Sequence, residues 1–205
     1  MAENILLAFW SVSILFVITP GVDWSYAISA GIRGKSIFPA VLGLLTGHFI
    51  ATLLVATGVG AILSEYPHVL MILTVLGAIY LLWIGVNLLL HSAVGLKSSD
   101  HASEMNTHQS WFIKGLCISG LNPKVFLFFL ALLPQFIDHT SNWLIGVQIL
   151  LLGLIHILNC FVVYIAVGFS AQKLLKARPK ATQIVSRISG LLMILIAIFL
   201  IFEQF

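Results

Sequence analysis

Residues Thr19-Pro20-Gly21-Val22-Asp23 interrupt what otherwise reads as one apolar helix from about Ile5 to Ala30, and Asn122-Pro123-Lys124 interrupt a second apolar helix much later in the chain. An interior proline costs a helix about 3 kcal/mol, and an Asp or Lys at the centre of a bilayer costs about 2.5 to 3.5 kcal/mol. Together the two breaks carry a penalty of about 11 to 13 kcal/mol. Such a cost is met only where the freed backbone groups and both charges face protein or water rather than lipid. The breaks are therefore the candidate site, and the remaining sequence is organised to hold them.

Composition places that site in a membrane. Apolar residues make up 60% of the 205 and charged residues only 8%, with a mean hydropathy of +1.10. At about 20 residues or slightly more per span, the length admits six transmembrane helices and leaves no room for a separate soluble domain. Cys117 and Cys160 both lie in apolar runs and are expected to be core packing rather than a disulfide. The first apolar run has no basic residue before it, since the earliest charge is Glu3 and the earliest Lys or Arg is Arg33. It is expected to be a mature span rather than a secretory signal.

In chain order, the first span runs from about Asn4 to Ala30 and the second from Ser36 to Leu63, with Gly43 and Gly47 at a spacing suited to close helix contact inside the molecule. A turn at Ser64-Glu65-Tyr66-Pro67 leads to a third span, His68 to Leu90. Polar residues from His91 to Ser110 read as a linker, in which His91, His101 and His108 are expected to be solvated. The fourth span, Trp111 to Ile137, holds the second break. A turn from Asp138 to Asn142 leads to the fifth, Trp143 to Phe169, and a basic segment from Lys173 to Arg187 precedes the sixth. The chain is thus a single transmembrane domain: a first half, residues 1–91, a cytoplasmic linker, residues 92–110, and a second half, residues 111–205.

Charge orients these spans. Arg33, Lys35, Lys97, Lys114, Lys173, Lys176, Arg178, Lys180 and Arg187 lie in or beside alternate connections, and Glu3, Glu65, Asp138 and Glu203 lie at the opposite ends of the spans. The positive-inside rule puts the basic connections in the cytoplasm and both termini outside. The same placement explains the net charge of +3 without nucleic acid as a partner. Three spans per half is an odd number, so the halves are expected to be inverted repeats. Paired interrupted helices in inverted halves point to a transporter's midplane site.

Within that site, Asp23 can pair with a substrate ammonium or take up a proton, and Lys124, at the start of a half-helix, favours a substrate carboxylate. The alternative is that Asp23 and Lys124 pair with each other and only join the halves. Thr19 and Asn122 can cap the breaks or touch substrate, while Pro20, Gly21 and Pro123 shape them. Trp24 can stack on a ligand cation or simply pack. His48, His156 and Asn159 are polar groups in apolar helices, the last two on one helix face. They are candidates for the pathway or a proton relay, or simply hydrogen-bond a neighbouring helix, and they lack the tight spacing of a metal site.

These residues resemble those of the LysE/RhtB family of amino-acid exporters. The likeness rests on Thr19-Pro20-Gly21-Val22-Asp23, Gly31-Ile32-Arg33-Gly34, the glycines of the second span, Gly77 to Gly85, Gly120 to Phe129, and Pro134-Gln135-Phe136, in order over nearly the whole chain. The resemblance implies a bacterial inner-membrane permease without a cofactor, exporting small neutral amino acids of the threonine, homoserine or leucine type in exchange for protons. It departs at Val22, where the family usually has a second proline; the carboxylate that follows is kept. The resemblance implies neither a particular substrate nor a choice between monomer and homo-oligomer. Competing readings are a permease for another solute or a cation, which Lys124 argues against, an intramembrane enzyme, which lacks a nucleophile and base constellation, and a purely structural subunit, which has no use for two buried charges.

Overall fold

The apolar composition forces the backbone to satisfy itself, and it does so by helix alone. A computed structural model describes residues 3–32, 37–65, 67–90, 107–174 and 179–204, and among these there is no strand. The first interrupted helix consists of α1 (Glu3–Ile18) and α2 (Val22–Ile32), which meet at 60°. Two uninterrupted helices follow, α3 (Ile37–Glu65) and α4 (Pro67–Leu90). The second interrupted helix begins with α5 (His108–Gly120) and, after a bend of 53°, resumes in α6 (Pro123–Leu127). Two more uninterrupted helices, α7 (Ile145–Leu174) and α8 (Pro179–Gln204), complete the chain.

Two helices, at Ile37–Gly58 and Ile145–Ala171, are long and apolar enough to cross a membrane, and each bent pair passes the same test when its parts are joined. Large apolar side chains such as Leu7, Leu54, Trp83, Leu158 and Phe199 cover the outside, as lipid contact requires. The linker residues 91–106 and the basic stretches at 33–36 and 175–178 lie outside the described residues, and with them Arg33, Lys35, Lys97, Lys176 and Arg178 of the charges that set orientation. His108 does not belong to the linker: Thr107 caps α5 by accepting a hydrogen bond from the Ser110 amide, so the helix begins there. The fifth helix starts and ends later than its apolar run suggests, at Ile145 and Leu174, and at its start Gln148 fastens the preceding loop. Its side chain accepts from the Asp138 amide and donates to the Asp138 and Trp143 carbonyls.

The end of the second interrupted helix departs from the expected α-helix. After α6, residues Phe128–Leu132 form a π-helical turn and Leu133–Phe136 a 3₁₀ turn with Pro134 near its start. Pro134 has no N–H to continue an α-helical ladder, and the wide turn before it buries Phe128, Phe129, Ala131 and Leu132 together. The core forms two clusters. One gathers Phe9, Phe16, Phe128 and Phe129 with residues of α4, α7 and α8; the other gathers Val17, Tyr26, Leu44, Trp111, Cys160 and Tyr164. Phe16 lies in the first and Val17 in the second, so the first break opens where the clusters meet.

Close helix approach holds α3 in place. A side chain at Gly43 would strike the Phe112 carbonyl, and one at Gly47 would press on Ser119 and Gly120. The two glycines therefore serve internal packing, against α5. Cys160 is buried, as expected, but Cys117 is exposed. Trp111, Gly115 and Ser119 form the buried stripe of α5, and Cys117 lies off that stripe.

Candidate functional site

Both breaks come together, and the first takes much of its polar partnership from the second. At the first, the carbonyls at the end of α1 have lost their helical donors. Lys124, from the second break, donates from Nζ to the Phe16 carbonyl at 3.1 Å and the Thr19 carbonyl at 3.0 Å. The ammonium lies over the Phe16 ring, 4.6 Å from its centroid. A cation at a helix C-terminus is also favoured by the helix dipole. Trp24 reaches back across the break and donates from Nε1 to the Val17 carbonyl at 2.8 Å, so its indole serves as a cap. Thr19 donates to the Leu15 carbonyl at 3.0 Å, and Gly21 lies beside the Lys124 side chain.

The second break caps itself. Asn122 accepts from the Lys124 amide through Oδ1 at 3.0 Å and fills the N-cap position of α6, the role for which Asn is among the best residues. Its other end serves the first break: Nδ2 donates to Asp23 Oδ1 at 3.0 Å. Tyr164 of α7 donates to Asp23 Oδ2 at 3.1 Å. His48 of α3 brings Nε2 to 3.7 Å from the same oxygen, beyond hydrogen-bond length. Asp23 and Lys124 do not form a direct ion pair; each charge is satisfied by neutral groups of the opposite break and of α7. Asp23 is 4% exposed and its partners Asn122 and Tyr164 are similarly buried.

Behind Asp23 runs a polar track. His48 Nδ1 lies 2.7 Å from Ser119 Oγ and 3.0 Å from the Leu44 carbonyl. The His156 ring is 5.4 Å from that of His48 and stacks on Phe128. Its Nδ1 is 2.9 Å from Ser13 Oγ, which also accepts from Asn159 Nδ2 at 2.9 Å. Thus His156 and Asn159, one helix face apart by three residues, converge on one hydroxyl of α1. Each buried side-chain polar atom among the described residues has a partner, as buried polar groups require.

Sequence reasoning did not single out Tyr164, Ser119 or Ser13. A hydroxyl inside an otherwise apolar helix is the available signal for each, but their partners lie 71 to 146 residues away. A cavity with a volume of about 10 Å³ separates the breaks, bordered by Thr19, Gly21, Asp23, Asn122, Lys124 and His48 on its polar side. Phe16, Val17, Val22 and Val125 supply its apolar wall. That volume holds about one water molecule, so the site is shown closed, with a carboxylate and an ammonium on opposite breaks.

The LysE type translocator family matches over residues 14–204. A leucine efflux protein of Enterobacter sp. is 31% identical over 146 residues, covering 69% of each chain, and one of Klebsiella pneumoniae is 24% identical over 186 residues, 89% of this chain and 87% of its own. An uncharacterized membrane protein of Vibrio cholerae is 29% identical over 157 residues, covering 75% of this chain and 74% of its own. No solved structure gives a significant match. The chain belongs to the LysE type translocator family.

Proposed function

We propose that this LysE type translocator exports a small neutral amino acid of the leucine, threonine or homoserine class across the bacterial inner membrane in exchange for a proton. The observation that carries the reading is the crossing of charges between the breaks: Lys124 of the second caps the first, and Asn122 of the second holds Asp23 of the first. Each charge already has partners that a zwitterion can replace. A substrate ammonium takes the place of the Asn122 and Tyr164 donors on Asp23, and a substrate carboxylate takes the place of the Phe16 and Thr19 carbonyls at Lys124. Phe16, Val17 and Val125 then face an aliphatic side chain, consistent with the leucine efflux relatives.

Because the closed cavity is far smaller than an amino acid, binding requires the interrupted helices to separate. In the proposed architecture six spans form two inverted halves with both termini outside, and rocking of the halves opens the site to the cytoplasm and then to the exterior. Releasing substrate outward leaves Asp23 free to accept a proton, with His48 and His156 as the groups through which it travels inward. No bond in the substrate is made or broken in this cycle, so the protein acts as a permease rather than an enzyme.

The test is efflux from cells preloaded with labelled leucine, threonine or homoserine. Faster loss in cells that make the protein, reduced by about tenfold or more by Asp23→Asn and abolished by an uncoupler, is the expected result. An efflux rate equal to that of cells lacking the protein, for all three amino acids, overturns the substrate class. Full efflux by Asp23→Asn overturns the role of the site.

A further inference from the structure

Beside the Asp23 carboxylate, three metal-ligating side chains converge from two helices. His48 of α3 and His156 and Cys160 of α7 are all buried, and one donor atom of each lies within 4.8 Å of the others. Cys160 is a free thiol, with Sγ 3.5 Å from His156 Nε2. A tetrahedral ion with bonds of about 2.0 Å to nitrogen and about 2.3 Å to sulfur holds those donors about 3.5 Å apart.

The surroundings of the imidazoles suit a metal as well. A ligating histidine ordinarily donates its second ring N–H to an oxygen, which fixes the tautomer. His48 Nδ1 faces the Leu44 carbonyl and the Ser119 hydroxyl, and His156 Nδ1 faces the Ser13 hydroxyl. In both rings Nδ1 is therefore held by a helix-borne oxygen, and Nε2 is the nitrogen turned to the shared space. Opposite His48 Nε2, Asp23 Oδ2 stands at 3.7 Å, too far for a direct hydrogen bond and near the separation of two donors on one ion. Two imidazoles, a thiolate and a carboxylate form a borderline-soft donor set that favours zinc-like ions over calcium or magnesium.

We propose that His48, His156 and Cys160, with Asp23 as the fourth donor, form a binding site for a thiophilic divalent transition-metal ion such as Zn²⁺. On binding, the Cys160 proton leaves and the thiolate sulfur bonds to the ion; no electron is transferred. The ion joins α2 to α3 and α7 at the back of the cavity, so its presence holds the first interrupted helix against those two helices. Binding itself is independent of which solute the cavity carries.

The experiment uses the full-length protein in detergent, without a polyhistidine tag and with Cys117→Ser so that Cys160 is the one thiol. Titration with Co²⁺ is expected to saturate at one ion per chain and to give a thiolate-to-cobalt charge-transfer band that Zn²⁺ displaces. Cys160→Ser removes the band and weakens Zn²⁺ binding by about tenfold or more, and Ser13→Ala, which frees the His156 ring, weakens it by about 10- to 100-fold with the band retained. Cys160→Ser changes a single side-chain atom, and its folding is checked by the elution profile in detergent. Absence of saturable binding overturns the proposal. So does Co²⁺ binding without the thiolate band, or binding that survives Cys160→Ser and His156→Asn together, either of which assigns the ion to other histidines.

Discussion

The two helix breaks solve one problem in different ways. The second break is locally complete: Asn122 caps α6 and the chain turns on within three residues. The first depends on distant groups, since two of its carbonyls accept from Lys124, 105 and 108 residues away, and its carboxylate accepts from Asn122 and Tyr164. In the proposed transport cycle a break that completes itself stays rigid, whereas one completed by the other break exchanges its partners when the two separate, and a substrate bearing both charges supplies the replacements.

Asp23→Asn breaks the comparison most severely. It keeps the size of the side chain but removes its charge, and the loss of a charge-assisted contact of about 1.5 to 3 kcal/mol lowers efflux by about 10- to 150-fold. The amount of inserted protein is expected to stay near normal on immunoblots of membrane fractions. Lys124→Met comes next, because it withdraws the donor from the Phe16 and Thr19 carbonyls. It should destabilise the protein by about 1 to 3 kcal/mol, seen as a lower unfolding temperature in detergent, together with loss of efflux.

Asn122→Ala sharpens the contrast, since it removes the local cap of one break and a partner of the other. The cap contributes about 1 kcal/mol, and the unfolding temperature should fall by less than for Lys124→Met. Trp24→Phe removes the bond to the Val17 carbonyl while keeping an aromatic ring. Hydrogen bonds inside membrane proteins average about 0.6 kcal/mol, so a small drop in unfolding temperature with most efflux retained is expected. Val22→Pro has the smallest effect. Val22 is exposed at the first position of α2, where proline is tolerated, and stability should change by no more than about 0.5 kcal/mol.

Much of this was legible from residue order. Proline inside an apolar run marks a bend whatever surrounds it, and a lone Asp or Lys in such a run must face protein, so Pro20, Asp23, Pro123 and Lys124 identified themselves. The pairing of His156 with Asn159 followed from helical spacing. What residue order could not show is which group meets which across helices. Lys124 appeared as a partner for Asp23 because opposite charges suggest a pair, whereas backbone carbonyls, which carry no sequence signature, receive its ammonium. Tyr164 and Ser13 were hidden for the same reason, as single hydroxyls among apolar neighbours. The π turn at Phe128–Leu132, which packs against α4, was hidden because its residues are ordinary helix formers.

In the proposed function the two breaks recognise both charges of an amino acid at once. Its most direct test is competition in proteoliposomes, with labelled leucine moving against unlabelled leucine, against the acid that lacks its amino group, and against the amine that lacks its carboxylate. The account predicts that leucine competes and that each single-charge analogue competes at least about tenfold more weakly, since each forfeits one charge-assisted contact. Competition by either analogue as strong as that of leucine would contradict it, because one of the two crossed charges would then have no part in binding.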